Sequence, residues 1–507
     1  MRSDTVPARS VGIVTRPMAT ASPPAAAPSA EPRTSHAVRH ALGGGVVAVV
    51  VALLLRIVYA PSHINYDARY ALLWARDAAR GLTPDYGADF APTPHPLETA
   101  VSALALPFGD AADRAMAWLI LLCFGVLVWL TFRLGAELFS GWVGLVAALV
   151  VLTRPALERD ALLGYQDTAF AALIVGAVLL EAQRRRRGAP VLALLAIAGL
   201  MRPEAWVLGG LYVLWLWPGL SPRGRRQCAA RQAAAPVLWA LSDWAVTGDP
   251  LHSLHGTADL AEAVDRRRRP AQAPYWTAQY YGYVLREPVL AGIAVGLFFA
   301  WRQRLRAALL PLVVVAAMTL VFMAGSLFGL PLIGRYVRTP SVLLTVFYGL
   351  AVCGFLLLPA GRPRTRWLIV GALTAALSLV WLPWHARMLD DLHDRLARDG
   401  RMYADLRAAA RAPAVRDAVE RCGGRISAAD HRPIPHLRWW LDAPPGAVGT
   451  PEGGASPLAR VLLLPRDNAR MRRFYGPEFP AVAAPEGWEA VYRNGSWRVL
   501  AAPACII

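Results

Sequence analysis

Eleven apolar blocks decide what this chain can become. They fall at about 40–60, 115–134, 141–153, 166–182, 189–201, 204–218, 233–247, 288–301, 307–328, 338–359 and 367–384. Most approach the ~20 residues that a helix needs to cross roughly 30 Å of hydrocarbon. A chain of 507 residues that is 56% hydrophobic and only 17% charged has no water-soluble interior large enough to hide them. The expectation is an all-α polytopic membrane protein with about 11 transmembrane helices, embedded in a lipid bilayer.

Charge then sets the orientation. The formal net charge is +18, and every basic residue is arginine. Runs at 184–187, 223–231, 302–306 and 362–366 fall in alternate short loops, on the side of the Arg-containing N-terminus. The positive-inside rule makes that side cytoplasmic, in a multi-pass plasma-membrane protein. One run, 266–269, falls on the other face. Topology thus accounts for the basic charge, and no aromatic-interleaved basic face or finger motif accompanies it. Nucleic acid is not an expected partner. Residues 1–37 are rich in Ala, Pro, Ser and Thr without an apolar period, which reads as a disordered cytoplasmic tail ahead of a transmembrane domain at 38–384.

The first loop, 61–113, is polar and locally acidic: Asp67, Asp77, Asp85, Asp89, Glu98, Asp110 and Asp113 stand against Arg69, Arg76 and Arg80. Apolar spacing predicts a helix over 66–80, stopped by Gly81, and a second from Pro96, both lying in the membrane interface. On the same extracytoplasmic face fall Asp160, Asp167, Arg202-Pro203-Glu204, 249–255 and Arg335-Tyr336. Polar residues sorted to one end of a bundle mark a site.

From 385 to 507 the pattern changes to a soluble, extracytoplasmic α/β domain. An amphipathic helix over 386–421 precedes strand-like runs at 425–427 and 461–464, and a hairpin at 488–500 that turns at Asn494-Gly495. Trp439-Trp440 read as exposed and suited to an acceptor or carbohydrate. Cys422 and Cys505 both lie in this domain, and the sequence leaves open whether they pair in a disulfide, which requires an oxidising compartment, whereas Cys123 and Cys353 sit in apolar spans as packing residues.

These features together resemble the GT-C glycosyltransferases that use polyprenyl-phosphate sugars, in particular the bacterial branch similar to dolichyl-phosphate-mannose-protein mannosyltransferases. The resemblance covers roughly 40–384. It rests on Asp67 in Tyr66-Asp67-Ala68-Arg69-Tyr70, on Ala78, Ala79, Gly81, Pro84 and Tyr86, and on the Pro-rich start of the second loop helix. Gln166-Asp167-Thr168, Arg202-Pro203-Glu204 and Arg335-Tyr336 complete it. Many relatives carry an Asp-Glu pair in the first loop; here Ala68 follows Asp67.

The resemblance implies inverting transfer of a sugar from a polyprenyl phosphate to an acceptor hydroxyl on a glycan, glycolipid or protein. Such a reaction needs a carboxylate to take the hydroxyl proton, and cations to hold the leaving phosphate. Asp67 is the expected base. Arg202 and Arg335 are the expected phosphate holders, because a guanidinium fork matches phosphate oxygens. Arg69, His95, Glu98, Asp167, Glu204, His252 and Tyr336 are the other expected substrate contacts. No metal ligand set is assigned and no cofactor is certain; a divalent cation is left open. His252 and His255 lack a third ligand. Each residue also has a plainer reading: Asp67 and Asp167 as helix caps, Arg202 with Glu204 as a structural pair, and Arg335 as an interface anchor. Other classes are a transporter or flippase of lipid-linked sugars, a polysaccharide ligase or polymerase, and a non-catalytic membrane sensor.

Overall fold

The computed structural model describes residues 33–59, 63–475 and 482–506. The chain divides into a unit of residues 1–43 and one of 44–507, and the site and its contacts all lie within the second. Of the expected disordered tail, residues 1–32 lie outside the described residues, while 33–37 already belong to the first helix.

The elements run in this order: α1 (Arg33–Tyr59), α2 (Tyr66–Ala79), α3 (Pro96–Ala103), α4 (Ala112–Leu138), α5 (Gly141–Leu152), α6 (Pro155–Leu162), α7 (Asp167–Gln183), α8 (Ala189–Gly199) and α9 (Glu204–Leu216). They continue with α10 (Pro222–Thr247), α11 (His252–Ala263), α12 (Ala273–Leu285), α13 (Glu287–Arg302), α14 (Leu309–Gly325), α15 (Arg338–Cys353) and α16 (Arg362–Val380). The C-terminal part holds α17 (Leu382–Arg411), α18 (Pro413–Arg421), β1 (Ile426–Ala428), α19 (Ile434–Trp440) and β2 (Val448–Gly449). After these come β3 (Val461–Pro465), α20 (Asn468–Tyr475), β4 (Glu489–Arg493) and β5 (Trp497–Ala501).

Every apolar block is helical, but the expected count of eleven spans is not reproduced. Among the described residues four helices are long and apolar enough to cross a membrane, or seven if each of three bent pairs is one span. The reason is length. At 1.5 Å per residue the 12 residues of α5 and the 11 of α8 fall well short of ~30 Å. α5 continues into α6 across a 63° bend, and α12 into α13 across one of 104°. Small residues let the helices close up: a Cβ on Gly144 would strike the α4 backbone at Phe132, and one on Gly296 would strike that of α15 at Phe347.

The C-terminal part forms a five-stranded sheet ordered β2-β1-β3-β5-β4, with β1 parallel to both neighbours and β5 antiparallel to β3 and β4. β3 is buried along its whole length, as its unbroken Val-Leu-Leu-Leu run requires. Asn494 and Gly495 make the expected turn, and the Asn494 Oδ1 accepts the N–H groups of Ser496 and Trp497. Cys422 and Cys505 are joined in a disulfide, whereas Cys123 and Cys353 are free.

The first loop helix corrects the expectation most. α2 does not lay an apolar face outward. Its Tyr70, Leu73 and Trp74 enter the core of the sheet domain, and its Ala68 and Leu72 pack with residues of the α3–α4 region. Ion pairs seal the contact: Arg438 donates to Asp77 at 2.5 Å, and Arg76 and Arg80 both reach Asp442 at 2.9 Å. Trp439 and Trp440 are not exposed either. Trp440 is buried, and both rings lie against the Arg69 guanidinium.

Arg438 and Asp77 are each at most 2% exposed. Removing one partner of such a pair leaves an uncompensated buried charge, at a cost of about 3–5 kcal/mol. Arg438→Ala is therefore expected to lower the thermal midpoint of the purified protein clearly, and Asp77→Leu/Arg438→Met to recover most of the loss. A midpoint unchanged in Arg438→Ala would remove this pair from what holds the domain in place.

Candidate active site

α2 starts where it does because Asn65 pins it. The Asn65 N–H and Nδ2 both donate to the Leu163 carbonyl, at 2.8 and 2.9 Å, and its Oδ1 caps the Ala68 N–H at 3.0 Å. The capping role is thus filled, and Asp67 is left with another. In the first helical turn, its carboxylate accepts from Arg335 Nη1 at 2.6 Å. Asp167 likewise does not cap its helix; the cap position is Gln166. The Asp167 carboxylate pairs with Arg202 through one oxygen and lies 3.7 Å from Arg335 through the other.

Arg202 is held from three sides. Glu204 takes two of its nitrogens, at 2.7 and 3.3 Å, Asp167 takes a third, and its plane lies 4.3 Å from the Tyr336 ring centre. Five charged groups from four chain segments therefore form one chain of contacts, Asp67–Arg335–Asp167–Arg202–Glu204. Exposure grades along it. Asp167 and Arg202 side chains are 5% and 8% exposed, but Asp67 and Arg335 are 21% and 26% exposed. The Asp67–Arg335 end is the more exposed one.

His95 and Glu98, at the start of α3, adjoin this chain. Glu98 is 6% exposed. Burial first, and then the negative charges of Asp67 and Asp167, push its carboxyl well above the usual range. Burial and the Arg202 charge push the His95 imidazole down to about 4, so it is neutral at physiological pH. Its ring meets the edge of Trp239.

Eight of the ten sequence-derived site residues thus come together: Asp67, His95, Glu98, Asp167, Arg202, Glu204, Arg335 and Tyr336. Two do not. Arg69 points the other way around α2, has no exposure, and pairs with Asp113 at 2.8 Å. His252 stacks on Tyr86 beside a cavity of about 300 Å³ between the 86–94 loop and α11, while His255 pairs with Asp249. Two further residues join the site. Tyr165 lies under the Arg335 guanidinium at 4.9 Å. Arg338 donates to Asp160 at 2.8 Å and keeps a buried Nη1 without a hydrogen-bond partner. The i, i+3 spacing of Arg335 and Arg338 was the available signal.

No protein-family model matches the sequence, and no curated protein matches it. Solved structures do match the fold. ArnT from Cupriavidus metallidurans bound to undecaprenyl phosphate superposes with a TM-score of 0.54 at 15% identity, over 93% of this chain and 98% of that one. Its apo state gives 0.53 at 15% identity, over 92% and 99%. The chain shares the fold of these ArnT structures. A more distant match is the archaeal oligosaccharyltransferase AglB from Archaeoglobus fulgidus, with a TM-score of 0.47 at 12% identity over 82% of this chain and 65% of that one. The fold likeness to ArnT spans the C-terminal domain as well as the bundle, further than the motifs at 40–384 reached.

A pH dependence follows from the neutral His95. The unfolded chain takes up this proton near pH 6.5 and the folded one only near 4, so stability falls as pH drops between those values, by up to about 1.4 kcal/mol per unit. Glu98 has the opposite sign: its raised value favours the fold below about pH 4.5, and that contribution is lost as pH rises. His95→Gln is expected to flatten the loss of thermal midpoint between pH 7 and 5, and Glu98→Gln to raise the midpoint at pH 7. Melting curves at the two pH values check both.

Proposed function

We propose that this chain is an integral-membrane, inverting glycosyltransferase that moves a sugar from a polyprenyl-phosphate donor to an acceptor hydroxyl. The observation that carries this reading is Arg335, shared between Asp67 and Asp167 at the accessible end of the charged chain. The GT-C fold and the undecaprenyl phosphate bound by ArnT point to the same donor class.

In this reading the donor phosphate competes with Asp67 for Arg335. A sugar phosphodiester carries one negative charge, and the departing lipid phosphate monoester gains another as the anomeric C–O bond breaks. Arg335 turns from Asp67 to the phosphate, where its attraction grows along the reaction. The freed Asp67 carboxylate accepts the proton of the attacking hydroxyl, while the acceptor oxygen forms the new bond at the opposite face of the anomeric carbon. Asp167 and Glu204 hold Arg202 oriented, and Arg338 supplies an unused donor nearby. Burial and the two neighbouring carboxylates oppose ionisation of Glu98, which limits the negative charge facing the phosphate.

The arginine run at 266–269, which fits the positive-inside scheme badly, has a use here. The Leu332 N–H donates to the Arg267 carbonyl at 2.7 Å, which ties this run to the turn that carries Arg335. It places positive charge where an anionic lipid headgroup would approach. The site end of the bundle and the sheet domain are extracytoplasmic in this reading, where no nucleotide sugar is at hand and a lipid-linked donor replaces it.

The test is transfer from a panel of radiolabelled polyprenyl-phosphate sugars by purified protein. Wild type should transfer from at least one donor. Asp67→Asn should lose activity at least about 10²-fold while binding donor as tightly as wild type or more tightly, since the phosphate no longer competes with a carboxylate for Arg335. Arg335→Gln should weaken donor binding and turnover together. Silence on every donor, with lipid flipping in vesicles, would replace the enzyme by a transporter. Full activity in Asp67→Asn would move the base elsewhere.

A further inference from the structure

In the sheet domain β1 and β2 run parallel, and the chain leaving their carboxyl ends brings Asp430 and His431 beside Glu452. One donor atom from each of these three lies within 4.8 Å of the others. His431 Nδ1 is 2.8 Å from Glu452 Oε2, which also accepts the His431 backbone N–H at 2.9 Å. Asp430 is 1% exposed and is met by Arg432 from two residues on, at 2.6 Å. Two carboxylates thus face one guanidinium, whose side chain is 30% exposed. The His431 ring is fixed between Phe90, stacked at 4.7 Å, and the edge of Tyr66 at 5.8 Å. The Tyr66 hydroxyl donates to the Phe90 carbonyl at 2.9 Å, closing the clamp.

We propose that Asp430, His431 and Glu452 form a divalent-cation site of the zinc class that staples the first loop to the C-terminal domain. Two carboxylates and an imidazole are zinc donors, and three protein ligands leave a fourth position for water. Bonds of about 2.0–2.1 Å in a tetrahedron set ligand atoms about 3.3 Å apart, so the His431–Glu452 contact opens by only about half an ångström. The cation takes the place of the Arg432 guanidinium and supplies the positive charge that two carboxylates against one arginine lack. The imidazole nitrogen selects zinc over calcium or magnesium, which prefer all-oxygen sites. Because Tyr66 and Phe90 flank the ligand ring and Tyr66 directly precedes Asp67, the bound cation also steadies the start of α2.

The test is calorimetric titration of Zn²⁺, with Mg²⁺ as comparison, into the EDTA-stripped full chain. One Zn²⁺ per chain and no Mg²⁺ is the expected result. His431→Gln and Glu452→Gln should each weaken Zn²⁺ binding at least about tenfold while leaving the metal-free thermal midpoint near that of wild type. Arg432→Met should bind as tightly or more tightly, and the His252→Asn/His255→Asn double variant should bind as wild type does. The proposal is overturned if folded wild type takes up no Zn²⁺. Unchanged affinity in His431→Gln and Glu452→Gln, or binding that disappears with His252 and His255, overturns it equally. None of these readouts depends on sugar transfer.

Discussion

The placement of α2 is the constraint on which the site depends, and a buried arginine secures it. Arg69 has no exposure, and a lone cation there would be prohibitive. It is offset by the Asp113 carboxylate at 2.8 Å and by the faces of Trp439 and Trp440, at 5.4 and 5.5 Å. Asp113 belongs to the bundle, at the start of α4, and the two rings belong to the sheet domain. One guanidinium therefore joins three parts of the protein. Asp67 lies two residues earlier on the same helix and inherits that rigidity.

The C-terminal domain is then more than an appendage. Arg438, Asp442 and Trp439 hold the flank of α2, while His431 holds its first residue, Tyr66, by an edge contact. Asn65 holds the same end from the bundle side through Leu163. The base role proposed for Asp67 would require its carboxylate to sit within a fraction of an ångström of its partner, and a short loop helix in the interface would not provide that. Burial on both flanks does.

Within the site, oppositely charged groups alternate so that no buried charge stands alone. Arg202 answers Asp167 and Glu204, and Arg335 answers Asp67 and Asp167. Glu98 is answered differently: burial first, and then the two nearby carboxylates, oppose its ionisation. The most exposed pair is Asp67 with Arg335, and exposure makes it the ion pair that costs least to open.

Whatever local rules govern was legible in the order of residues alone. Apolar blocks specified helices, Gly81 ended α2, Asn494-Gly495 turned the hairpin, and the resemblance to a known family pointed to eight residues that the fold brings together. The remainder came from long-range contacts, because it turns on which distant groups meet. Asp67 could equally cap its helix until Asn65 was seen to do so. Arg69, two residues from the expected base, resembled a substrate ligand but faces the opposite side of α2, toward Asp113. Trp439 and Trp440 looked exposed because no local pattern reveals a partner some 370 residues away. Asp430, His431 and Glu452 are brought together by parallel strand pairing across 21 residues, and no spacing rule announces that.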